Sequence, residues 1–244
     1  MAQQPSKRHL SFFAASIFLF ISLFPASSTP ANIESAKDLY SKKEYQKALS
    51  MFKKIAAGGD AEAQFYLGTI YENGEGTTKD LKKALKFYEE SAAKGWKYAQ
   101  FRLVELYGSD DRSIRDEGKA FQWRKEAGRN GHVPSMEALG KAYYEGKNAP
   151  NDYKEASRWF LAAARRDSLP SMMYLIKMYT FGQGVETSDQ QMYFWLLLAT
   201  ERGLKEGKTM VANCETYMTK EDLEKARLQA GYWTPKSGPL EADE

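Results

Sequence analysis

Few side chains in this sequence have the chemical types that catalyse reactions or hold metal ions. The 244 residues include two histidines and one cysteine, and His9 lies in the N-terminal stretch that is interpreted as a signal peptide. His132 and Cys214 are far apart in the sequence, so a thiol–imidazole pair would require a fold that brings them together. One histidine and one cysteine are also too few for a Cys/His zinc site. We therefore expect no metal or other cofactor, and interpret Cys214 as a buried, inert thiol.

Two further patterns invite a chemical interpretation. The Gly-x-Gly sequences at 74–76 and 182–184 are rich in glycine, but neither leads into the Gly-Lys-Ser/Thr ending of a phosphate-binding loop. The acidic pairs at 89–90 and 110–111 could act as acid or base only in a cleft that shifts their pKa. Both pairs fall at positions predicted to face solvent. The glycines are interpreted as turns, the acids as solvated charges, and the chain is not expected to be an enzyme.

The predicted helices, which would position any functional residue, recur every 36 residues along the sequence. Each unit reads as two amphipathic helices joined by a glycine turn. The landmarks separated by 36 residues are Leu67, Leu103, Leu139 and Leu175; Tyr71, Tyr107, Tyr143 and Tyr179; and Ala84, Ala120 and Ala156. The units close at Gly59, Gly95, Gly131 and Gly203, with Asp167 at the remaining station. Independent landmarks with a common period predict a helical repeat array.

The small-residue pattern resembles the Sel1-like repeat, a relative of the tetratricopeptide repeat. It consists of alanine pairs, Gly-x-Gly before an aspartate, and Lys-Ala before an aromatic residue. The resemblance extends from Ala36 to about Gly203, and residues 193–199 and 218–233 resemble the last helices of that family. It implies an all-α, right-handed α/α superhelical solenoid, whose first helix in each unit lines a concave face.

The predicted organisation follows the repeat boundaries. Lys7 and Arg8 precede an apolar run and then small residues, which is typical of a secretory signal peptide; an uncleaved N-terminal anchor is the alternative. The predicted parts are a signal peptide (1–28), a linker (29–35), a tetratricopeptide-like N-terminal cap (36–59), Sel1-like repeats (60–95, 96–131, 132–167 and 168–203), capping helices (204–233) and a disordered tail (234–244).

Three positions test how closely the units follow the pattern. Gly68 lies inside a helix, so we expect a partner helix to approach closely there. The unit starting at Trp96 lacks Gly-x-Gly and has residues 109–112 at that turn, which predicts an altered or more mobile turn. Asn148 occupies the second glycine position of the next unit, and because asparagine tolerates the left-handed region, that turn should persist.

Aligning Leu67, Gly68 and Tyr71 with the tetratricopeptide pattern predicts which residues line the concave face. Aromatic and apolar residues surrounded by charges are typical of binding hot spots. The alternative is that these side chains pack between neighbouring repeats. The residues predicted to line a partner-binding groove are Phe65, Thr69, Tyr98, Phe101, Glu105, Lys141, Tyr144, Met173 and Lys177.

The resemblance implies a non-enzymatic scaffold or adaptor of the bacterial cell envelope that binds a protein or peptide. With the signal, it implies a periplasmic or secreted chain that is not inserted in the membrane after cleavage. The formal net charge is +3 and no basic block occurs in the body, which disfavours nucleic acid as a partner. One alternative is an envelope module that contacts peptidoglycan or exopolysaccharide machinery. A weaker one is a β-lactamase-like enzyme, although the cysteine pairs of such family members are missing.

Overall fold

The computed structural model describes residues 32–240, which contain twelve helices and no strand. Residues 1–31 and 241–244, which include the predicted signal peptide, lie outside the described residues. The helices are α1 Ile33–Ser41, α2 Tyr45–Ala57, α3 Ala61–Asn73, α4 Leu81–Ala93, α5 Lys97–Tyr107, α6 Glu117–Arg129, α7 Val133–Glu145, α8 Tyr153–Ala164, α9 Leu169–Phe181, α10 Asp189–Glu201, α11 Gly207–Tyr217 and α12 Lys220–Gly231.

The helices form the predicted all-α solenoid. Each helix from α1 to α10 packs against the next one, and α12 packs back against α10. The periodic positions fill the core, because the four leucines of the repeat are at most 1% exposed and its alanines are fully buried. In the repeats, the first helices are α3, α5, α7 and α9. We call these the A helices, and the second helices, α4, α6, α8 and α10, the B helices.

One hydrogen bond closes the turn between the A and B helices in all four repeats. The carbonyl of the periodic tyrosine accepts from the amide nine residues later, at distances of 2.8–3.2 Å. The accepting and donating residues are Tyr71 and Asp80, Tyr107 and Asp116, Tyr143 and Asp152, and Tyr179 and Ser188. The same four donors also cap the B helices, since each side chain accepts from an amide in the first turn. These residues are therefore the N-caps of the B helices.

Left-handed residues end the repeats where the period predicts them. Gly59, Gly95, Gly131 and Gly203 have φ between +83° and +90°, and Asp167 has φ +72°. The asparagine expected to replace a turn glycine also adopts this conformation, because Asn148 has φ +64°. The substitution therefore preserves the turn.

The second repeat differs from the others, as its sequence predicts. Helix α5 ends at Tyr107 and is two residues shorter than α3, α7 and α9. In the following turn, the Asp111 carboxylate accepts from the Ser113 amide at 2.9 Å and from its hydroxyl at 2.7 Å. Ile114 is buried against the N-terminal core. The turn thus replaces glycine flexibility with side-chain hydrogen bonds and an apolar anchor.

Glycines within the A helices admit aromatic rings from the B helices. A β-carbon on Gly68 would lie 2.6 Å from the Tyr88 ring, and one on Gly140 would lie 2.5 Å from Phe160. Real Cβ atoms do not approach carbon this closely, so only glycine allows these contacts. The close approach predicted at Gly68 is confirmed.

The structure differs from the predicted organisation near both chain ends. Helix α1 begins at Ile33, inside the predicted linker, because Asn32 caps it by accepting from the Glu34 amide at 2.9 Å. Residues 234–240 of the predicted disordered tail run back along the array, and Leu240 packs near α7 and α8. The expectation of disorder overlooked that an extended segment can be held by main-chain hydrogen bonds. Within residues 32–240, no helix is long and apolar enough to cross a bilayer.

Candidate partner-binding face

A row of aromatic rings crosses three repeats on the A-helix side. The ring centroids of Phe65 and Tyr98 are 6.2 Å apart, and those of Tyr98 and Phe101 are 6.3 Å apart. The ring of His132, which precedes α7, stacks on Phe101 at 3.6 Å. Tyr98 is 52% exposed, whereas Phe65, Phe101 and His132 are half-buried. We call these four residues the N-terminal row.

Burial favours the neutral form of the imidazole in this row. Burial lowers the pKa of His132, although the carboxylates of Glu105 and Glu137 oppose the shift. Its Nδ1 lies 2.8 Å from the Ser135 hydroxyl oxygen, within hydrogen-bonding distance. A neutral imidazole can stack on Phe101 without carrying an unpaired charge into the half-buried row. His132 therefore contributes shape and ring surface at this position.

An ion pair joins the first two A helices beside the N-terminal row. The Glu72 carboxylate accepts from both Arg102 Nε (2.9 Å) and Arg102 Nη2, and also from the Tyr88 hydroxyl at 2.8 Å. Burial disfavours ionisation of Glu72, but these hydrogen bonds outweigh it and lower its pKa. Arg102 also donates to the exposed carboxylate of Glu105 at 2.6 Å. The network fixes α3 against α5 and places a negative charge at the rim of the row.

A second aromatic cluster lies on the last two A helices. The ring centroids of Tyr144 and Tyr174 are 5.2 Å apart, and Tyr174 stacks on Phe160 at 4.3 Å. The Tyr144 hydroxyl donates to Gln183 Oε1 at 2.7 Å, and the Lys177 ammonium lies 5.1 Å from the Tyr144 ring centroid. Beside it is a shallow depression of about 410 Å³ lined by Pro170, Met173, Tyr174 and Lys177.

Between the two clusters, a position that carries an aromatic residue elsewhere in the array carries a charged one. Phe52 on α2 stacks on Tyr66 of α3 at 4.8 Å, and at the equivalent position Phe160 on α8 stacks on Tyr174 of α9. The equivalent pair between the second and third repeats is Arg124 and Ala138, which cannot stack. Burial lowers the pKa of Arg124. The core is interrupted here, and its buried residues fall into separate clusters on either side.

The predicted groove residues divide between these surfaces. Phe65, Tyr98 and Phe101 belong to the N-terminal row, with Glu105 at its rim. Thr69 is half-buried and its hydroxyl donates to the Phe65 carbonyl at 3.2 Å. Tyr144, Met173 and Lys177 belong to the second cluster, and Met173 is 49% exposed. Lys141 is exposed on α7, between the two. Several of the half-buried rings also pack between repeats, as the alternative interpretation predicts, and their role in partner binding stays a prediction.

Sequence reasoning overlooked three contributors to this face. The sequence suggested His132 only as a catalytic base or metal ligand, it gave no sign of a role for Arg102, and it did not place Tyr174 beside Tyr144. A second spacing in the sequence could have identified them, because residues that are 30 or 31 positions apart contact each other across neighbouring repeats. These pairs are Glu72 with Arg102, Phe101 with His132, and Glu137 with Ser168, whose hydroxyl donates to the Glu137 carboxylate at 2.7 Å.

The residues considered for catalysis are not brought together. Cys214 is buried in α11, where its Sγ lies 3.4 Å from the Tyr217 hydroxyl oxygen, whereas the ring of His132 contacts Phe101 and Ser135. Residues 32–240 contain no group of histidine, cysteine and acidic side chains that could hold a metal ion. Trp159 and Trp195, which lie 36 residues apart, are at most 5% exposed and belong to the core.

Comparison with protein families matches the Sel1 repeat at residues 36–60, 61–96, 97–132, 133–168 and 172–204. The first match covers the short unit that the sequence predicted as a tetratricopeptide-like cap, so this unit is itself a recognisable repeat. Proteins with Sel1 repeats are generally protein-interaction scaffolds, and their helical solenoid fold is typically non-enzymatic. No match was found among curated proteins.

Two solved structures are similar to this chain, and the first agrees with it in fold. A Sel1 repeat protein from Oxalobacter formigenes is 27% identical, with a TM-score of 0.55, over 69% of this chain and 49% of that one. A protective antigen of uropathogenic Escherichia coli with an SLR fold is 22% identical, with a TM-score of 0.46, over 83% and 53% of the two chains. This chain therefore spans about half the length of both structures.

Proposed function

Because the chain belongs to the Sel1 repeat family, we propose that it is a non-enzymatic adaptor that binds an extended segment of a partner protein along its A helices. The observation that carries this proposal is the N-terminal row, whose rings continue across three repeats with Tyr98 half exposed at its centre. Aromatic anchors supported by rigid neighbours are typical of residues that dominate binding energy.

Charge distribution supports a partner segment with both apolar and charged residues. Glu105 forms an acidic rim beside the N-terminal row, while Lys141 and Lys177 supply basic groups toward the second cluster. A segment crossing from one end to the other would thus meet a negative and then a positive rim. Complementary charges of this kind determine orientation and association rate more than affinity.

The proposed location is the bacterial cell envelope, in the periplasm or outside the cell. Its support is the N-terminal sequence, in which Lys7 and Arg8 precede a short apolar run and small residues. The predicted cleavage after Ser28 is tested by N-terminal sequencing of the protein recovered from cells. A first residue of Thr29 is expected, whereas recovery of the intact N-terminus in a membrane fraction would contradict a cleaved signal.

The binding proposal is tested with substitutions that remove exposed side chains from the face. Tyr98→Ala and Met173→Ala should each reduce recovery of a co-purifying partner, because each side chain is about half exposed on this face. Matched controls are Tyr217→Ala and Leu228→Ala, which remove side chains 61% and 62% exposed on the capping helices. Equal recovery with all four variants, each folded by circular dichroism, would contradict the proposed face.

A further inference from the structure

The C-terminal segment occupies a surface site away from the A-helix face. The Lys236 amide donates to the Arg165 carbonyl, at the end of α8, at 2.7 Å. The Leu240 amide donates to the Arg129 carbonyl, at the end of α6, also at 2.7 Å. The last carbonyls of a helix have no partner within the helix, so the segment satisfies two groups that helix geometry leaves free.

A guanidinium and an apolar cluster complete the site. Arg166 donates from Nε to the Gly238 carbonyl at 3.3 Å and from Nη2 to the Pro239 carbonyl at 3.0 Å. The same side chain is anchored by donating from Nη1 to the Ala162 carbonyl at 2.8 Å. Leu240 packs against a separate core cluster formed by Met136, Leu139, Trp159, Ala162 and Ala163. We call the carbonyls of Arg129 and Arg165, the Arg166 side chain and this cluster the tail site.

The contacts identify the chemistry that the tail site recognises. Four of its hydrogen bonds go to main-chain atoms of the segment, so they accept many sequences that can follow the same backbone path, which includes a φ of +89° at Gly238. Specificity comes from the leucine anchor and from the close approach of the segment to Gly131. A β-carbon on Gly131 would lie 2.2 Å from the Gly238 carbonyl oxygen, so only glycine at position 131 leaves room for the segment. Pro235 and Pro239 favour an extended backbone and reduce the conformational entropy lost on binding.

We propose that the tail site is a second peptide-binding site, occupied in cis by residues 236–240, which takes in trans an extended peptide with an aliphatic anchor after a Gly-Pro pair. A tethered segment of this kind competes at an effective concentration in the millimolar range. The chain's own segment thus blocks the site until a partner peptide displaces it. The site uses the ends of α6 and α8 and the buried cluster between α7 and α8, and it shares no residue with the N-terminal row or the second aromatic cluster, so it is separate from the proposed binding face.

The test uses a fluorescein-labelled peptide of residues 234–244 and the full chain carrying Leu240→Asp. The aspartate places a charge against the apolar cluster, so the chain's own segment should leave and expose the site. In fluorescence anisotropy, the peptide should bind this variant at least about tenfold more tightly than the unsubstituted chain, which remains blocked by its tethered segment. A peptide with the same leucine replaced by aspartate should bind at least about tenfold more weakly.

A matched pair of glycine substitutions shows where the peptide binds. Gly131→Ala, added to the Leu240→Asp chain, should abolish peptide binding because the new methyl group fills the position of the residue 238 carbonyl. Gly95→Ala is the control: its φ of +83° imposes similar strain, but its β-carbon would have no neighbour within 4 Å. Tyr98→Ala, added to the same Leu240→Asp chain, should leave peptide binding unchanged, which separates this site from the A-helix face.

Two results would overturn the proposal. If the peptide binds neither chain at millimolar concentration while the Leu240→Asp chain remains folded, residues 236–240 are only an intramolecular brace. If the peptide binds but Gly131→Ala leaves the affinity unchanged, binding occurs elsewhere. Neither result would bear on partner binding by the A helices.

Discussion

Replacing Gly140 with alanine should destabilise the array, although alanine is the better helix former. The new β-carbon would lie 2.5 Å from Cε1 and 2.6 Å from Cδ1 of the fully buried Phe160 ring. Phe160 cannot move freely, because its ring lies between two others. Its centroid is 4.3 Å from that of the stacked Tyr174 ring and 6.4 Å from that of the Tyr144 ring, which it meets edge to face. Overpacking of a core typically costs about 1–3 kcal/mol, and the helix propensity gained is about 1 kcal/mol. Because the approach is this close and the ring is fully buried, the cost lies in the upper part of that range, at about 2–3 kcal/mol, and we expect a net loss of about 1–2 kcal/mol.

Gly118→Ala is the matched control within helix α6. A β-carbon there would meet only the Asp116 carboxylate, at an ordinary contact distance of 3.4 Å. The same substitution should therefore stabilise the chain by a few tenths to about 1 kcal/mol. Thermal denaturation followed by far-UV circular dichroism should show shifts of opposite sign, by about 2–4 °C for each kcal/mol.

The Gly140→Ala substitution should also disturb the second aromatic cluster. Displacement of Phe160 shifts Tyr174 and Tyr144, so the near-UV circular dichroism of the folded variant should change, whereas that of Gly118→Ala should not. If Gly140→Ala were as stable as the unsubstituted chain, or if both variants shifted in the same direction, the argument from close ring approach would be refuted.

Three further substitutions test individual interactions by chemical denaturation. Asp152→Ala removes the side chain that caps α8 through the Glu155 amide at 3.0 Å, and should cost about 1 kcal/mol; no loss would contradict the capping role. Glu72→Gln leaves Arg102 with a weaker partner and should cost roughly 1–2 kcal/mol, less than a fully buried pair because Arg102 is 40% exposed; an unchanged midpoint would contradict its structural role. Burial lowers the pKa of His132 in the folded chain. The contribution of the neutral imidazole to the stability of the fold is therefore present above the unfolded pKa of about 6.5 and is lost as pH falls through the folded pKa. His132→Gln should therefore reduce the loss of stability below pH 6.5, and parallel pH profiles would contradict this.

The period alone predicted the architecture of the repeats. Leucine, alanine and tyrosine stations define the buried positions because every unit repeats the same contacts, and left-handed residues such as Asp167 were identified by position rather than by type. Contacts between units were harder to predict. The stack of His132 on Phe101 depends on a spacing of 31 residues, which a search at the main period does not reveal.

The path of the C-terminal segment could not be predicted from composition. Its prolines, glycine and polar residues are typical of disorder, yet residues 236 and 240 hydrogen-bond to α8 and α6. The segment is held mostly by carbonyl groups at the ends of α6 and α8, which have no hydrogen-bond donor within their own helices. Sequence patterns record side chains and contain little information about such main-chain sites.

The most direct test of the binding proposal is site-specific photo-crosslinking in cells. A photo-reactive residue would replace Tyr98 or Met173 on the A helices, and Tyr217 on α11 as the control position. If a partner binds along the A helices, one partner protein should be crosslinked from both A-helix positions and not from position 217. Crosslinking of the same protein only from position 217, or from none of the three, would contradict a partner bound along the A helices.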